Sequence, residues 1–215
     1  MAKKLFVLSL ACLFMVATVG ASKAVWLIRH CDKSSDDSDP CCTSKGYDRA
    51  RGWAEYFKSR LTPSATGFVS STYKSDQDTC KKTAGTPTNT YSACQHSQRM
   101  WLTASELVNQ LGVSETSINT DYCTSDSMKD VAKLAEGQKE KEALIVWEHN
   151  QLVDIIKDLG VGKMSDWPDN LDDVYSLVFR VENGTMEYAC YDYSNGSSEC
   201  PSGVDDWLGK DFNKM

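Results

Sequence analysis

Two uninterrupted apolar runs, Ala24-Val25-Trp26-Leu27-Ile28 and Ala143-Leu144-Ile145-Val146-Trp147, constrain this chain more than any other feature. A strand without polar alternation is buried on both faces, as in a parallel sheet covered by helices on each side. Helical periodicity fills the intervals. Ala50, Ala54, Phe57 and Leu61 predict a helix over residues 44–61 behind a Ser44 cap. Met100, Ala104, Leu107, Val108 and Leu111 predict another over 97–111, stopped by Gly112. Leu152, Ile155, Ile156 and Leu159 repeat the pattern over 151–159, and a more polar helix is expected over 127–140. Residues 67–71 and 117–122 are the other internal strand candidates, and 174–182 and 185–191 alternate around Asn183-Gly184, a pair favoured in tight hairpins. Strand and helix alternate four times before that hairpin. The order predicts one α/β domain, a three-layer sandwich with a mostly parallel central sheet ending in a β-hairpin. The long polar stretch 73–96 reads as an inserted loop forming one rim of a binding site, and 165–173 as another.

The start of the chain reads as an address. Lys3 and Lys4 precede an apolar run over residues 5–20 and the small residues Val19-Gly20-Ala21-Ser22, the pattern of a secretory signal cleaved after Ala21. The expected organisation is a signal peptide over 1–21 and one domain over 22–215, secreted and without stable membrane association after cleavage. The apolar run is short for a bilayer span, an uncleaved anchor being the alternative. Of nine cysteines, Cys12 leaves with the signal. Cys31, Cys41, Cys42, Cys80, Cys94, Cys123, Cys190 and Cys200 then suit up to four bridges, with about 105 possible connectivities. Sequence proximity favours Cys80 with Cys94 and Cys190 with Cys200. The sequons Asn183-Gly184-Thr185 and Asn195-Gly196-Ser197 fit a secreted glycoprotein. Cys94-Gln95-His96 lacks a second ligand pair at zinc spacing, so no metal is expected. A formal charge of −7 without a basic cluster argues against a nucleic-acid partner.

Only three histidines occur, and two of them stand just beyond the apolar runs: His30 closes AVWLIRH and His149 closes ALIVWEH. Ligands of open parallel sheets bind beyond the carboxyl ends of the strands, so both imidazoles are expected in one crevice. Arg29 arrives beside His30, and Arg99 falls in the first turn of the helix after the second strand. A single histidine at a strand end is more often structural, but a pair at matching ends is seldom random. Two imidazoles and two guanidiniums suit a tetrahedral dianion, because the guanidinium fork matches phosphate oxygens and the helix amino terminus near His149 adds positive potential.

At these residues the chain resembles the histidine phosphatase superfamily, in its phosphoglycerate mutase-like branch. Leu27-Ile28-Arg29-His30 followed by Cys31-Asp32-Lys33 resembles the Arg-His-Gly or Arg-His-Ala signature, Ser97-Gln98-Arg99 with Thr103-Ala104 the second arginine motif, and Val146-Trp147-Glu148-His149 the second histidine strand. The resemblance implies a phosphoglycerate mutase-like fold, His30 as nucleophile, and Arg29, Arg99 and His149 as holders of the phosphoryl group. It also implies a carboxylic acid that protonates the leaving oxygen, and no metal or cofactor. Two positions depart from the pattern. Cys31 occupies the small-residue position, and Asn150 follows His149, where an amide supplies no proton. The acid is therefore sought among Glu148, Asp121, Asp126 and Asp32, with Glu148 preferred for its strand-end position although strict alternation would turn it away from His149. Lys33 is a further candidate phosphate contact. The expected activity is a secreted phosphomonoesterase acting on a small phosphate ester, with inorganic phosphate as product. The alternative is an inactive secreted protein that binds phosphate in the same pocket.

Overall fold

The computed structural model describes residues 23–36, 38–74, 80, 87, 89 and 91–215. The expected signal sequence over 1–21 and much of the 73–96 insert lie outside the described residues. The elements are β1 (Ala24–Arg29), α1 (Ser44–Phe57), β2 (Thr66–Ser70), α2 (Arg99–Gln110), β3 (Ile118–Asn119), α3 (Met128–Gly137), β4 (Glu142–Trp147), α4 (His149–Asp158), β5 (Leu177–Glu182), β6 (Thr185–Cys190), α5 (Val204–Leu208) and β7 (Asn213–Lys214). They build a seven-stranded sheet in the order β3-β2-β4-β1-β5-β6-β7. The β3-β2-β4-β1 half is parallel, β5 runs antiparallel to β1, and β6 returns antiparallel to β5.

Residue alternation on the central strands feeds two cores. Val25 and Leu27 of β1, with Ile145 and Trp147 of β4, pack under α3 and α4 against Val131, Leu152 and Ile156. Trp26, Ile28, Leu144 and Val146 face the other way, against Trp53 and Phe57 of α1 and Trp101 and Leu107 of α2. Both faces of β1 and β4 are therefore apolar, which explains why the sequence shows runs and not alternation. Each large side chain so buried contributes about 1.5–3 kcal/mol of hydrophobic stabilisation. The result is a three-layer α/β/α sandwich.

Several boundaries differ from expectation for local reasons. The cap of α1 is Thr43 and not Ser44: the Thr43 hydroxyl accepts from the Gly46 amide at 3.0 Å. Helix α4 starts two residues early because the Glu148 carboxylate caps it, Oε2 accepting from Gln151 N at 3.2 Å. The strand expected over 117–122 shrinks to Ile118–Asn119. Asn183 and Gly184 have φ of 52° and 68°, as a two-residue hairpin turn requires. The hairpin is followed by α5 and by β7, which pairs parallel to β6 at the sheet edge.

The cysteines pair as Cys31–Cys42, Cys41–Cys80, Cys94–Cys123 and Cys190–Cys200. The expected Cys190–Cys200 bridge is present, but Cys80 and Cys94 do not pair. Proximity in sequence misled because the fold brings Cys41 from the β1–α1 loop to Cys80, and Cys123 from beyond β3 to Cys94, with Cα separations of 5.4 and 5.6 Å. Among the described residues, no helix is long and apolar enough to cross a membrane, and no group of three or more His, Cys, Asp or Glu side chains is arranged to hold a metal ion.

Candidate active site

Parallel register places the two histidines together. Arg29 pairs with Trp147 at the ends of β1 and β4, and His30 N extends the ladder by donating to Trp147 O at 3.0 Å. The next residues on each strand, His30 on one and Glu148-His149 on the other, leave the sheet side by side. Arg99 opens α2 from the opposite helical layer.

His30 is 4% exposed, and its Nδ1 lies 2.8 Å from the carbonyl oxygen of Cys31. A carbonyl only accepts, so this contact puts the ring proton on Nδ1 and leaves the lone pair on Nε2. Burial, and then the Arg29 charge, hold the imidazole well below its ordinary value of 6.5; the hydrogen bond to Cys31 opposes this, while Arg99 and His149 add to it. The neutral ring, with its lone pair on Nε2, is the nucleophilic form.

Arg29 is 1% exposed and packs on the segment before β5. Its Nη1 donates to the carbonyl oxygens of Asp172 and Val174, and its guanidinium stacks on Tyr175 at 4.1 Å. Burial lowers its pKa, with Tyr175, Glu148, Asp172 and Asp173 opposing, and as a guanidinium it remains a cation. Arg99 donates from Nε to Ser97 Oγ at 3.1 Å and from Nη1 to Asp39 O at 3.3 Å. Its carbonyl accepts from Thr103 Oγ1 at 2.7 Å, and that same hydroxyl accepts from Cys31 N at 2.7 Å, tying the loop after His30 to α2.

His149, the first residue of α4, sits between two carboxylates. Glu148 Oε1 lies 2.5 Å from Nδ1 but off the line of a hydrogen bond, and Asp172 Oδ1 lies 3.0 Å from Nε2. Trp167 packs edge-on against the ring at 5.4 Å. Burial pulls the Glu148 carboxyl upward, but the His149 ring, the Gln151 amide and Arg29 outweigh it and hold the group below its ordinary value. Glu148 is thus kept as a carboxylate, which suits a helix cap and a partner for His149 better than a proton donor. The other acid candidates are committed elsewhere. Asp32 takes two bonds from Arg49 at 2.6 and 3.2 Å, Asp121 accepts from Asn89 and Asn119, and Asp126 accepts from Cys123 N. Lys33 stands half-buried on the β1–α1 loop, three residues beyond His30.

Arg29 Nε and the Tyr175 hydroxyl are buried with no hydrogen-bond partner, two polar atoms left for a ligand or water to satisfy. Two cavities flank this region, one reaching Tyr175 and the other Arg99, and neither is lined by His30, Arg29 or His149. One of about 450 Å³ is lined by Lys45, Arg49, Asp173, Tyr175 and Tyr193; another of about 560 Å³ is lined by Asp39, Pro40, His96, Ser97 and Arg99. Sequence reasoning missed Asp172, Tyr175 and Trp167. The expected rim at 165–173 contained Trp167 and Asp172 without aiming them, and Tyr175 lies beyond it, because loop residues carry no periodicity.

No family model and no curated protein sequence matches the chain. Among solved structures, it is similar to the protein histidine phosphatase SixA complexed with tungstate, at 14% identity and a TM-score of 0.48, covering 82% of this chain and 94% of that one. It is also similar to a putative phosphohistidine phosphatase SixA from Nakamurella multipartitia, at 12% identity, TM-score 0.46, and 77% and 87% coverage. A third such structure is a phosphoglycerate mutase from Plasmodium falciparum, at 12% identity, TM-score 0.44, and 86% and 97% coverage. At these identities residue roles do not transfer from one chain to another.

Proposed function

We propose that the protein is a secreted phosphomonoesterase that works through a phosphohistidine at His30. The observation that carries this reading is a convergence: Arg29 Nη1 and His149 Nε2 both meet oxygens of a single residue, Asp172, while His30, with Nδ1 turned to the Cys31 carbonyl, follows Arg29 in the chain. Such donors suit the equatorial oxygens of a transferring phosphoryl group, where most of the rate enhancement in this chemistry arises. In the first step His30 Nε2 attacks phosphorus and the ester oxygen leaves. In the second, water attacks the phosphohistidine and the electron pair returns to Nε2. Arg29, Arg99 and His149 hold the phosphoryl oxygens through both steps, Glu148 holds His149, and Lys33 offers a further cation at the loop. The leader and the four bridges support export to an oxidising compartment, where hydrolysis is a simpler outcome than phosphoryl return to a glycolytic intermediate.

The test uses the mature chain with an aryl phosphate. Expected results are turnover without added metal, acid-labile phosphate on His30, and loss of at least about a thousandfold in rate for His30→Ala. Inactivity of the wild type on a broad panel of phosphate esters from acidic to neutral pH overturns the reading. Protection by vanadate against thermal unfolding, without turnover, would leave a binding protein.

A further inference from the structure

Asp172 reaches two of the groups assigned above to the phosphoryl site. Its backbone oxygen accepts from Arg29 Nη1, and its carboxylate Oδ1 lies 3.0 Å from His149 Nε2. It follows the single-turn helix Asp169–Leu171, and that turn is pinned by Trp167, whose Nε1 donates to Leu171 O at 3.1 Å. The indole is buried against both His149 and Arg29. The backbone of this segment is therefore held against the site, while the Asp172 side chain stays 57% exposed at the water boundary. No other carboxylate combines these properties among the candidates: Glu148 caps α4, Asp32 is clamped by Arg49, Asp121 accepts from Asn89 and Asn119, and Asp126 closes a local turn.

We propose that Asp172 is the proton donor and acceptor of the reaction, an assignment that rests on the phosphohistidine reading above. When an ester binds, a phosphoryl oxygen replaces Asp172 Oδ1 on His149 Nε2. The incoming dianion then stands beside the carboxylate, and like-charge repulsion drives Asp172 to take up a proton from water. Asp173 and Glu148 are the neighbouring carboxylates, and Arg29 and His149 the neighbouring basic groups. As His30 Nε2 forms its bond to phosphorus, the ester P–O bond breaks and the departing oxygen takes the Asp172 proton, giving a free alcohol and an Asp172 carboxylate. That carboxylate next removes a proton from water. The resulting hydroxyl oxygen bonds to phosphorus, the P–N bond breaks with its electron pair returning to Nε2, and Asp172 is again an acid.

The test compares Asp172→Asn and Asp172→Glu with the wild type on two esters, an alkyl phosphate and dinitrophenyl phosphate. Only the alkyl alcohol needs a proton to leave. The readout is the single-turnover rate of acid-labile labelling at His30. For Asp172→Asn, labelling should slow by about a hundredfold or more with the alkyl ester, the usual worth of a general acid, and stay within a few-fold with the dinitrophenyl ester. The labelled protein should then accumulate, since its hydrolysis has lost the base, and Asp172→Glu should recover part of both rates. Equal slowing with both esters, unchanged rates, or faster labelling with tighter phosphate binding each overturns the assignment. Failure of the underlying reading looks different: the wild type then labels at His30 with neither ester.

Discussion

The Nδ1 of His30 lies 2.8 Å from the carbonyl oxygen of Cys31, the residue that follows it in the chain. This carbonyl can orient the ring only if Cys31 itself is fixed, and it is fixed three ways. Its amide donates to Thr103 Oγ1 at 2.7 Å, its sulfur is bonded to Cys42, and its Cβ packs against the first turn of α1 at Gly46. The tautomer of the proposed nucleophile is thus set by a residue that a cross-link holds in place.

His30 should give the rate and the stability opposite pH signatures. Its folded-state value lies well below 6.5, so the neutral ring persists as pH falls below 6.5, and the acid limb that it imposes on kcat/KM should lie well under that value. Stability behaves otherwise. Below 6.5 the unfolded chain binds a proton that the folded chain refuses, so stability from this group is complete above 6.5 and declines as pH falls towards the folded-state value, by about 1.4 kcal/mol per pH unit. Denaturant unfolding across this range, compared with His30→Asn, should show the slope reduced in the variant; identical slopes would contradict it.

Replacing both members of the Cys31–Cys42 bridge with alanine should cost about 3 kcal/mol, the loop entropy expected for a separation of 11 residues. At a temperature where the variant is still folded, kcat should fall while KM changes little, because the ring acceptor is loosened and the phosphoryl-holding groups are not. An unchanged kcat would reduce the bridge to a purely structural role.

Gly46→Ala should destabilise the protein even though alanine is the better helix former by about 1 kcal/mol. A Cβ at this position would stand 2.7 Å from Asp32 O and 2.9 Å from Asp32 N, so α1 or the loop after His30 must shift. Thermal unfolding and single-turnover labelling of His30 should both register the change, and an unaltered or raised Tm would show that the contact yields freely.

Much of the frame was legible because its signals are local. The apolar runs of β1 and β4 reflect strands buried on both faces, the three- and four-residue spacings reflect helices covering them, and Asn183-Gly184 supplies the positive φ pair of a hairpin. The same locality explains the misses: Thr43 caps in place of Ser44, since the two hydroxyls are equivalent until the backbone chooses the first turn. Glu148, chosen from its strand-end position, also caps α4, with its carboxyl held below its ordinary value.

By itself, the sequence determined that His30 and His149 stand at the ends of two buried strands with Arg29 and Arg99 near the same edge, since hydrophobic period and strand termination are properties of neighbouring residues. Only the tertiary structure decided that β1 and β4 are adjacent and in register, that Cys41 pairs with Cys80 and Cys94 with Cys123, and that Asp172, 23 residues beyond His149, meets its ring. Those contacts depend on how layers pack and how loops close between them. Such non-local choices leave no periodic trace along the chain.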